Sequence, residues 1–144
     1  MRLAKFDAAK IQLEAAIELH LDKASFIPAI TLAGAAEEIL DKALPSGQQT
    51  AKQELSQALL TKYQLTITEK ELNDQYLNKI RSHLKHFDDN CVTHVDIEPE
   101  TESLIMLARA LTNYIMLSLP PSPAIKRGLT LIENAYQKNI KKSI

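Results

Sequence analysis

Residues 102–118 have the sequence ESLIMLARALTNYIMLS, and apolar side chains occupy nearly every direction around a helix built from it. A surface helix carries one apolar stripe, whereas a helix that is apolar on most sides lies inside a bundle or at an interface. Between its two ends, this segment has only three strongly polar residues, Arg109, Thr112 and Asn113. We therefore predict that this segment is the central helix of an all-α fold, or a helix buried at an interface.

Amphipathic helical patterns are found on both sides of this segment. Apolar residues recur at steps of three and four, which is the spacing that places them on one face of a helix. The predicted helices are 3–21, 26–44, 48–63, a helix that begins after Thr68 and continues to 87, and a last helix from 123. We expect one domain, residues 1–144, folded as an up-down bundle of five or six helices.

Small residues are concentrated in the second predicted helix, in the run Leu32-Ala33-Gly34-Ala35-Ala36. Glycine lowers the stability of a helix interior, so its presence there is compatible with close approach of a neighbour. We expect tight packing against this run.

Composition and charge restrict the classes of function. The 144 residues are 45% hydrophobic, with three glycines and no tryptophan, which favours a folded helical protein over a disordered one. The single cysteine, Cys91, forms no intrachain disulfide and fits a reducing compartment. Without an apolar leader or a membrane-length apolar run, we expect a cytoplasmic protein that makes no membrane contact. Its net charge of −1 requires any nucleic acid to bind through a local basic patch.

Chemically capable side chains are concentrated in residues 80–87, with the sequence IRSHLKHF. At about 100° per residue, the apolar residues of this helix face the core and His83 flanks them. The side chains predicted to point away from the core, toward solvent or another protomer, are Arg81, Ser82, Lys85, His86 and Asp89. Since Ser82, His86 and Asp89 follow one another at steps of four and three, they form an incipient acid/base arrangement.

Four residues outside this segment have predicted partners or environments. Glu37 and Glu38 would bring a carboxylate near the motif if the second helix packs beside it. Arg109, on an otherwise apolar helix, needs an acidic partner, and one of these glutamates is the candidate. His20 lies on the apolar face of the first helix and is predicted to be a core or rim histidine.

The Arg-x4-His element, from Arg81 to His86, resembles the motif of the HEPN superfamily (higher eukaryotes and prokaryotes nucleotide-binding). The run Ala-Gly-Ala-Ala-Glu-Glu at 33–38 is similar to that of uncharacterised bacterial members. Many HEPN proteins are metal-independent ribonucleases of toxin and defence systems. The resemblance implies that Arg81 contacts the scissile phosphate and that His86 transfers a proton. Ser82 stands where the family usually has another polar residue, often asparagine.

The same resemblance implies partners as well as a site. The site would be composite, formed between two subunits of a homodimer. RNA would be the substrate, a cognate antitoxin such as a minimal nucleotidyltransferase would be a further partner, and no cofactor would be needed. Ser82 joins Arg81 and His86 as a predicted catalytic residue, while the predicted supporting residues are Lys85, Asp89, His83 and Glu38.

Three other interpretations of the motif remain open at the level of sequence. It is also compatible with a solvated helix end, since basic side chains complement the helix dipole there. A second interpretation is a zinc site formed by His83, His86, Cys91 and His94, although their spacing matches no standard zinc motif. The third is a non-catalytic helical domain that binds a protein or a ligand through the same surface.

Overall fold

The computed structural model describes residues 1–64, 66–85 and 94–143, and these residues contain helices and no strand. The predicted all-α class is therefore confirmed. The helices are α1 (Lys5–Leu21), α2 (Phe26–Ala43), α3 (Ala51–Lys62), α4 (Glu69–Leu72), a π-helical turn (Asn73–Leu77), α5 (Lys79–Lys85), α6 (Pro99–Met116) and α7 (Pro123–Ser143). None of the helices in the described part of the chain is both long and apolar enough to cross a membrane.

Helix α6 is the centre of the bundle, as its sequence predicts. It packs on α1, α2, α3 and α7, and α2 makes the most extensive of these contacts. The largest fully buried apolar side chains come from four helices: Leu13, Ile17, Ile30, Leu40, Leu107, Leu111, Tyr114 and Ile125. The helix is not buried on every side, because Ile105 and Ile115 remain 39% and 45% exposed.

The helix predicted to run without a break to 87 is interrupted in the structure. Helix α4 is capped by Thr68, whose hydroxyl accepts a hydrogen bond from the Glu71 amide, and after this helix the backbone widens into the π turn. This turn closes with the Asn78 amide donating to the Asn73 carbonyl at 2.7 Å. The continuous helix was a wrong prediction, since helical periodicity does not report a local change in winding.

Contacts from neighbouring helices hold both ends of the π turn. At its start, the Ser56 hydroxyl of α3 donates to Asn73 Oδ1 at 2.9 Å. At its end, Arg109 of α6 donates to the Leu77 carbonyl at 3.2 Å and to Asn78 Oδ1 at 3.0 Å. The interruption is therefore stabilised by tertiary hydrogen bonds and places α5 against α2.

Other buried polar side chains also join neighbouring helices. His20 is 7% exposed, and its Nδ1 lies 2.8 Å from the Ser103 hydroxyl, which confirms its predicted place in the core. The Asn113 side chain accepts a hydrogen bond from the Ala51 amide at 2.9 Å and donates one to Asp41. These contacts attach α1 to α6 and the start of α3 to α6 and α2.

Candidate functional site

Arg81 is bound to α2 and does not point away from the bundle. Its Nη2 donates a hydrogen bond to Glu38 Oε2 at 2.6 Å, and its side chain is only 17% exposed. The outward direction predicted from the helical wheel is thus wrong. A wheel gives the direction of the Cα–Cβ bond, whereas a long side chain can bend back to reach a carboxylate on a neighbouring helix.

Gly34 provides the space that Arg81 occupies. A Cβ added to Gly34 would lie 2.7 Å from Arg81 Cδ and even closer to its Nε, so a larger residue would collide with the side chain. The close approach expected at the run of small residues is confirmed, and the group that approaches is an arginine side chain. Gly34 and Glu38 are one helical turn apart, so α2 offers a surface for the side chain and an acceptor for its end.

Among the described residues, three cations surround the Glu38 carboxylate. Besides Arg81, Lys42 lies 3.7 Å away on α2 and Lys85 lies 3.9 Å away on α5. The hydrogen bond from Arg81 lowers the pKa of Glu38, assisted by the charges of Arg81, Lys85 and Lys42 and opposed by partial desolvation. We call Arg81, Lys42, Lys85 and Glu38 the α2/α5 cluster. With three positive charges and one negative, it carries a net charge of +2.

The other predicted site residues fall into two groups. Ser82 is exposed beside Arg81, as predicted, while His83 is half-buried on the next position. Lys85 has a side chain that is 53% exposed. His86 and Asp89 lie outside the described residues, so their predicted arrangement with Ser82 stays a prediction.

The zinc interpretation is likewise not decided. His86 and Cys91, two of its four proposed ligands, lie outside the described residues. Within residues 1–64, 66–85 and 94–143, His83 and His94 belong to no cluster of three or more side chains suited to a metal ion.

A second arginine binds the glutamate next to Glu38. Arg109 Nε lies 2.5 Å from Glu37 Oε2, and Arg109 Nη2 donates to Glu37 Oε1 at 2.8 Å. The two side chains are 3% and 1% exposed, so this is an ion pair of the protein interior. The predicted pairing of Arg109 with one of these glutamates is confirmed, and its contacts with α2 and the π turn indicate a structural role.

A groove of about 370 Å³ lies between α1 and α2, next to the α2/α5 cluster. It shares Glu38 and Lys42 with the cluster. Its remaining lining residues are Lys5, Ala8, Gln12, Ala35 and Ile39. Sequence reasoning did not select Lys5, Gln12 or Lys42. Their spacing along α1 and α2 placed them on helix faces, but only the packing of the two helices brings them together.

Comparisons with known proteins provide no further assignment. No protein-family model, curated protein or solved structure matches the chain.

Proposed function

We propose that the protein binds RNA through the α2/α5 cluster and cleaves it without a metal ion, using Arg81 and His86. The observation that carries this proposal is the convergence of Arg81, Lys42 and Lys85 on the single carboxylate of Glu38. In a chain of net charge −1, this is a local excess of positive charge suited to phosphate groups.

The position of Arg81 supports a role at one phosphate. Its side chain is confined between Gly34 and Glu38, so little conformational freedom is left to lose when a ligand binds. Lys42 and Lys85 are more exposed, with side chains that are 78% and 53% accessible. They are available to neighbouring phosphates along the strand, while Arg81 stabilises the negative charge that develops at the reacting one.

The reaction that fits these groups is attack by the RNA 2′-hydroxyl on its own 3′-phosphate. The bond from phosphorus to the 5′-oxygen breaks as the bond to the 2′-oxygen forms, leaving a 2′,3′-cyclic phosphate and a 5′-hydroxyl. His86 transfers a proton at the attacking or the departing oxygen, and the exposed Ser82 hydroxyl donates to a phosphate oxygen. A homodimer that places two such sets in one cleft provides a proton acceptor and a proton donor together.

The test is cleavage of a mixed RNA pool by the purified protein in the presence of a chelator. We expect products with cyclic-phosphate ends from the wild type, and none from His86→Ala or Arg81→Ala. Arg127→Ala is the matched control, because Arg127 is also ion-paired, with Asp22, but lies on α7. A folded wild-type protein that cleaves no RNA in this assay contradicts the catalytic part of the proposal.

One observation favours a second function, that of a non-catalytic binding domain. Arg81 already donates to Glu38, so an incoming phosphate must compete with a carboxylate for the guanidinium. Binding of RNA or an acidic partner through the more exposed Lys42 and Lys85 does not require Arg81 to leave Glu38, whereas the proposed cleavage does. RNA binding that depends on Lys42 and Lys85 without any cleavage would establish this second function.

A further inference from the structure

The groove between α1 and α2 has the composition of a site for a flat, mostly apolar ring. Its floor and walls include the small side chains of Ala8 and Ala35 and the aliphatic side chain of Ile39, all half-buried. Because the two alanines end at Cβ, the helices remain close in the core while this edge stays open. Small ligands are bound in such concave, mainly apolar sites that contain a few placed polar groups.

Gln12 provides the placed polar group. It lines the groove, and its Oε1 is buried without a hydrogen-bond partner among the described residues. A buried acceptor without a partner is unfavourable, so a ligand that donates a hydrogen bond to it gains binding free energy. The last torsion of a glutamine side chain has a broad energy profile, so a ligand in the groove can turn the amide until Oε1 faces it.

Positive charge at the rim of the groove favours an anionic ligand. Lys5 of α1 and Lys42 of α2 line it and are exposed. Lys42 also belongs to the α2/α5 cluster, and Glu38 lies in both the cluster and the groove lining. A ligand that places a ring on Ala35 and Ile39 therefore has its charged end near Lys42 and Arg81.

We propose that this groove binds the adenine base of a nucleotide whose phosphate lies at the α2/α5 cluster. The amide of Gln12 offers one acceptor and one donor, and glutamine forms such a paired contact with the amine and a ring nitrogen of adenine. This contact uses N6 and N7 of adenine, and no other base offers a donor and an acceptor together on that edge. Guanine has two acceptors there, O6 and N7, while cytosine has only its amine and uracil only O4, so one group of the Gln12 amide would be left unpaired.

The consequence for RNA is a preference at one nucleotide. This preference rests on the proposed function, since the phosphate bound at Arg81 would be the one attached to the recognised nucleotide. RNA with adenosine at this position would bind more tightly and be cleaved more often than RNA with uridine there. Gln12 is then the residue that determines specificity, while the cluster supplies affinity without regard to sequence.

The inference is tested with adenosine and uridine 5′-monophosphates, and with oligo(A) and oligo(U), by calorimetry and fluorescence anisotropy on the full chain. We expect the wild type to favour the adenine ligands by about tenfold, which is the effect of one or two uncharged hydrogen bonds. Gln12→Leu should abolish the preference by weakening only the adenine ligands. Gln137→Leu, which removes an exposed glutamine of α7, should leave it unchanged.

The outcomes separate the groove from the proposed function. Equal affinity for both bases in the wild type, or a preference that survives Gln12→Leu, overturns the role of the groove. If RNA is nevertheless bound and cleaved in a manner that depends on Arg81 and His86, the proposed function stands without it. Conversely, a Gln12-dependent preference for adenosine monophosphate without any RNA binding supports the groove and refutes the RNA function. Thermal unfolding of Gln12→Leu verifies that the variant is folded, and it should be at least as stable as the wild type because an unpaired buried oxygen is removed.

Discussion

The side chain of Arg81 crosses α2 directly over Gly34 and ends on Glu38, one turn further along the same helix. The position that lacks a side chain and the position that supplies a carboxylate therefore act together on one guanidinium. A substitution at Gly34 removes the space that the Arg81 side chain occupies, whereas a substitution at Glu38 removes its charged acceptor. We expect different outcomes from the two.

Gly34→Ala is expected to displace Arg81 without unfolding the protein. The new Cβ would collide with the middle of the arginine side chain, and the hydrogen bond to Glu38 would be lost. Alanine stabilises a helix interior by about 1 kcal/mol over glycine, and a partly exposed ion pair contributes about 1 kcal/mol or less. We expect a free energy of unfolding within about 1 kcal/mol of the wild type in urea, together with weaker RNA binding by anisotropy. Unchanged RNA binding would show that the position of Arg81 does not matter.

Gly128→Ala is the matched substitution, and the opposite result is expected. Its Cβ would lie 2.7 Å from Ile17 Cδ1 and 3.1 Å from Leu111 Cδ1, both in the core. Overpacking a core costs about 1–3 kcal/mol, of which the helix propensity of alanine offsets about 1 kcal/mol. A decrease in unfolding free energy of about 1 kcal/mol with normal RNA binding is the expected result. A more stable protein would mean that Ile17 and Leu111 move aside without cost.

Glu38→Gln should separate RNA binding from cleavage. Removing the carboxylate raises the net charge of the α2/α5 cluster and ends the competition between Glu38 and phosphate for Arg81. The same change loosens the arginine, because a neutral amide is a weaker acceptor than a carboxylate. We therefore expect RNA affinity to rise several-fold while the cleavage rate at saturating RNA falls by about tenfold. Glu133→Gln, on α7, serves as the control for a lost surface charge, and a drop in affinity in Glu38→Gln would contradict the competition.

Arg109→Met should destabilise the fold strongly. The substitution leaves the Glu37 carboxylate, which is 1% exposed, without its cation. It also removes the hydrogen bonds that the Leu77 carbonyl and Asn78 Oδ1 accept from Arg109 at the end of the π turn. Breaking a buried ion pair on one side costs about 3–5 kcal/mol, whereas replacing both partners by apolar residues is often neutral. Urea unfolding should therefore show a large loss in Arg109→Met and recovery in the double variant Glu37→Leu, Arg109→Met.

The control for this prediction is Arg127→Met. Arg127 also binds an acidic side chain, Asp22, with two hydrogen bonds of 2.5 and 3.0 Å, but its own side chain is 51% exposed. An exposed pair contributes about 1 kcal/mol or less. Equal losses in the two arginine variants would be inconsistent with a burial effect.

His20 is expected to make stability depend on pH near neutrality. Burial lowers its pKa from the ordinary value of 6.5, and the charge of Glu100 opposes this in part. The unfolded chain therefore binds a proton at a higher pH than the folded protein does. The contribution of neutral His20 to the free energy of unfolding is fully present above about pH 6.5 and is lost as the pH falls through that value toward the lowered pKa.

The measurement is urea unfolding of the wild type and His20→Gln at pH values between about 7.5 and 5.5, above the range in which ordinary carboxyl groups titrate. His20 should contribute a loss of stability as the pH falls through this interval, so the free energy of unfolding should depend less steeply on pH in His20→Gln than in the wild type, whatever the absolute stability of the variant. Parallel curves for the two proteins would assign the pH dependence to other groups.

The sequence by itself determined the helices and the character of α6. Periodic apolar residues, the Thr68 cap and the proline residues are local signals, so the helical class and the central position of α6 followed from them. The pairing of Arg109 with an acidic residue of α2 was also predictable, because a buried guanidinium requires a partner and the candidates were few.

Only the tertiary structure decided the direction of Arg81, the π turn and the groove between α1 and α2. Each depends on what a neighbouring helix offers: an acceptor and free space for Arg81, hydrogen bonds from Ser56 and Arg109 for the turn, and small side chains for the groove. Helical periodicity describes one element at a time. A long polar side chain or a π turn adopts the geometry with the best partners across the interface, and residues distant in sequence supply those partners.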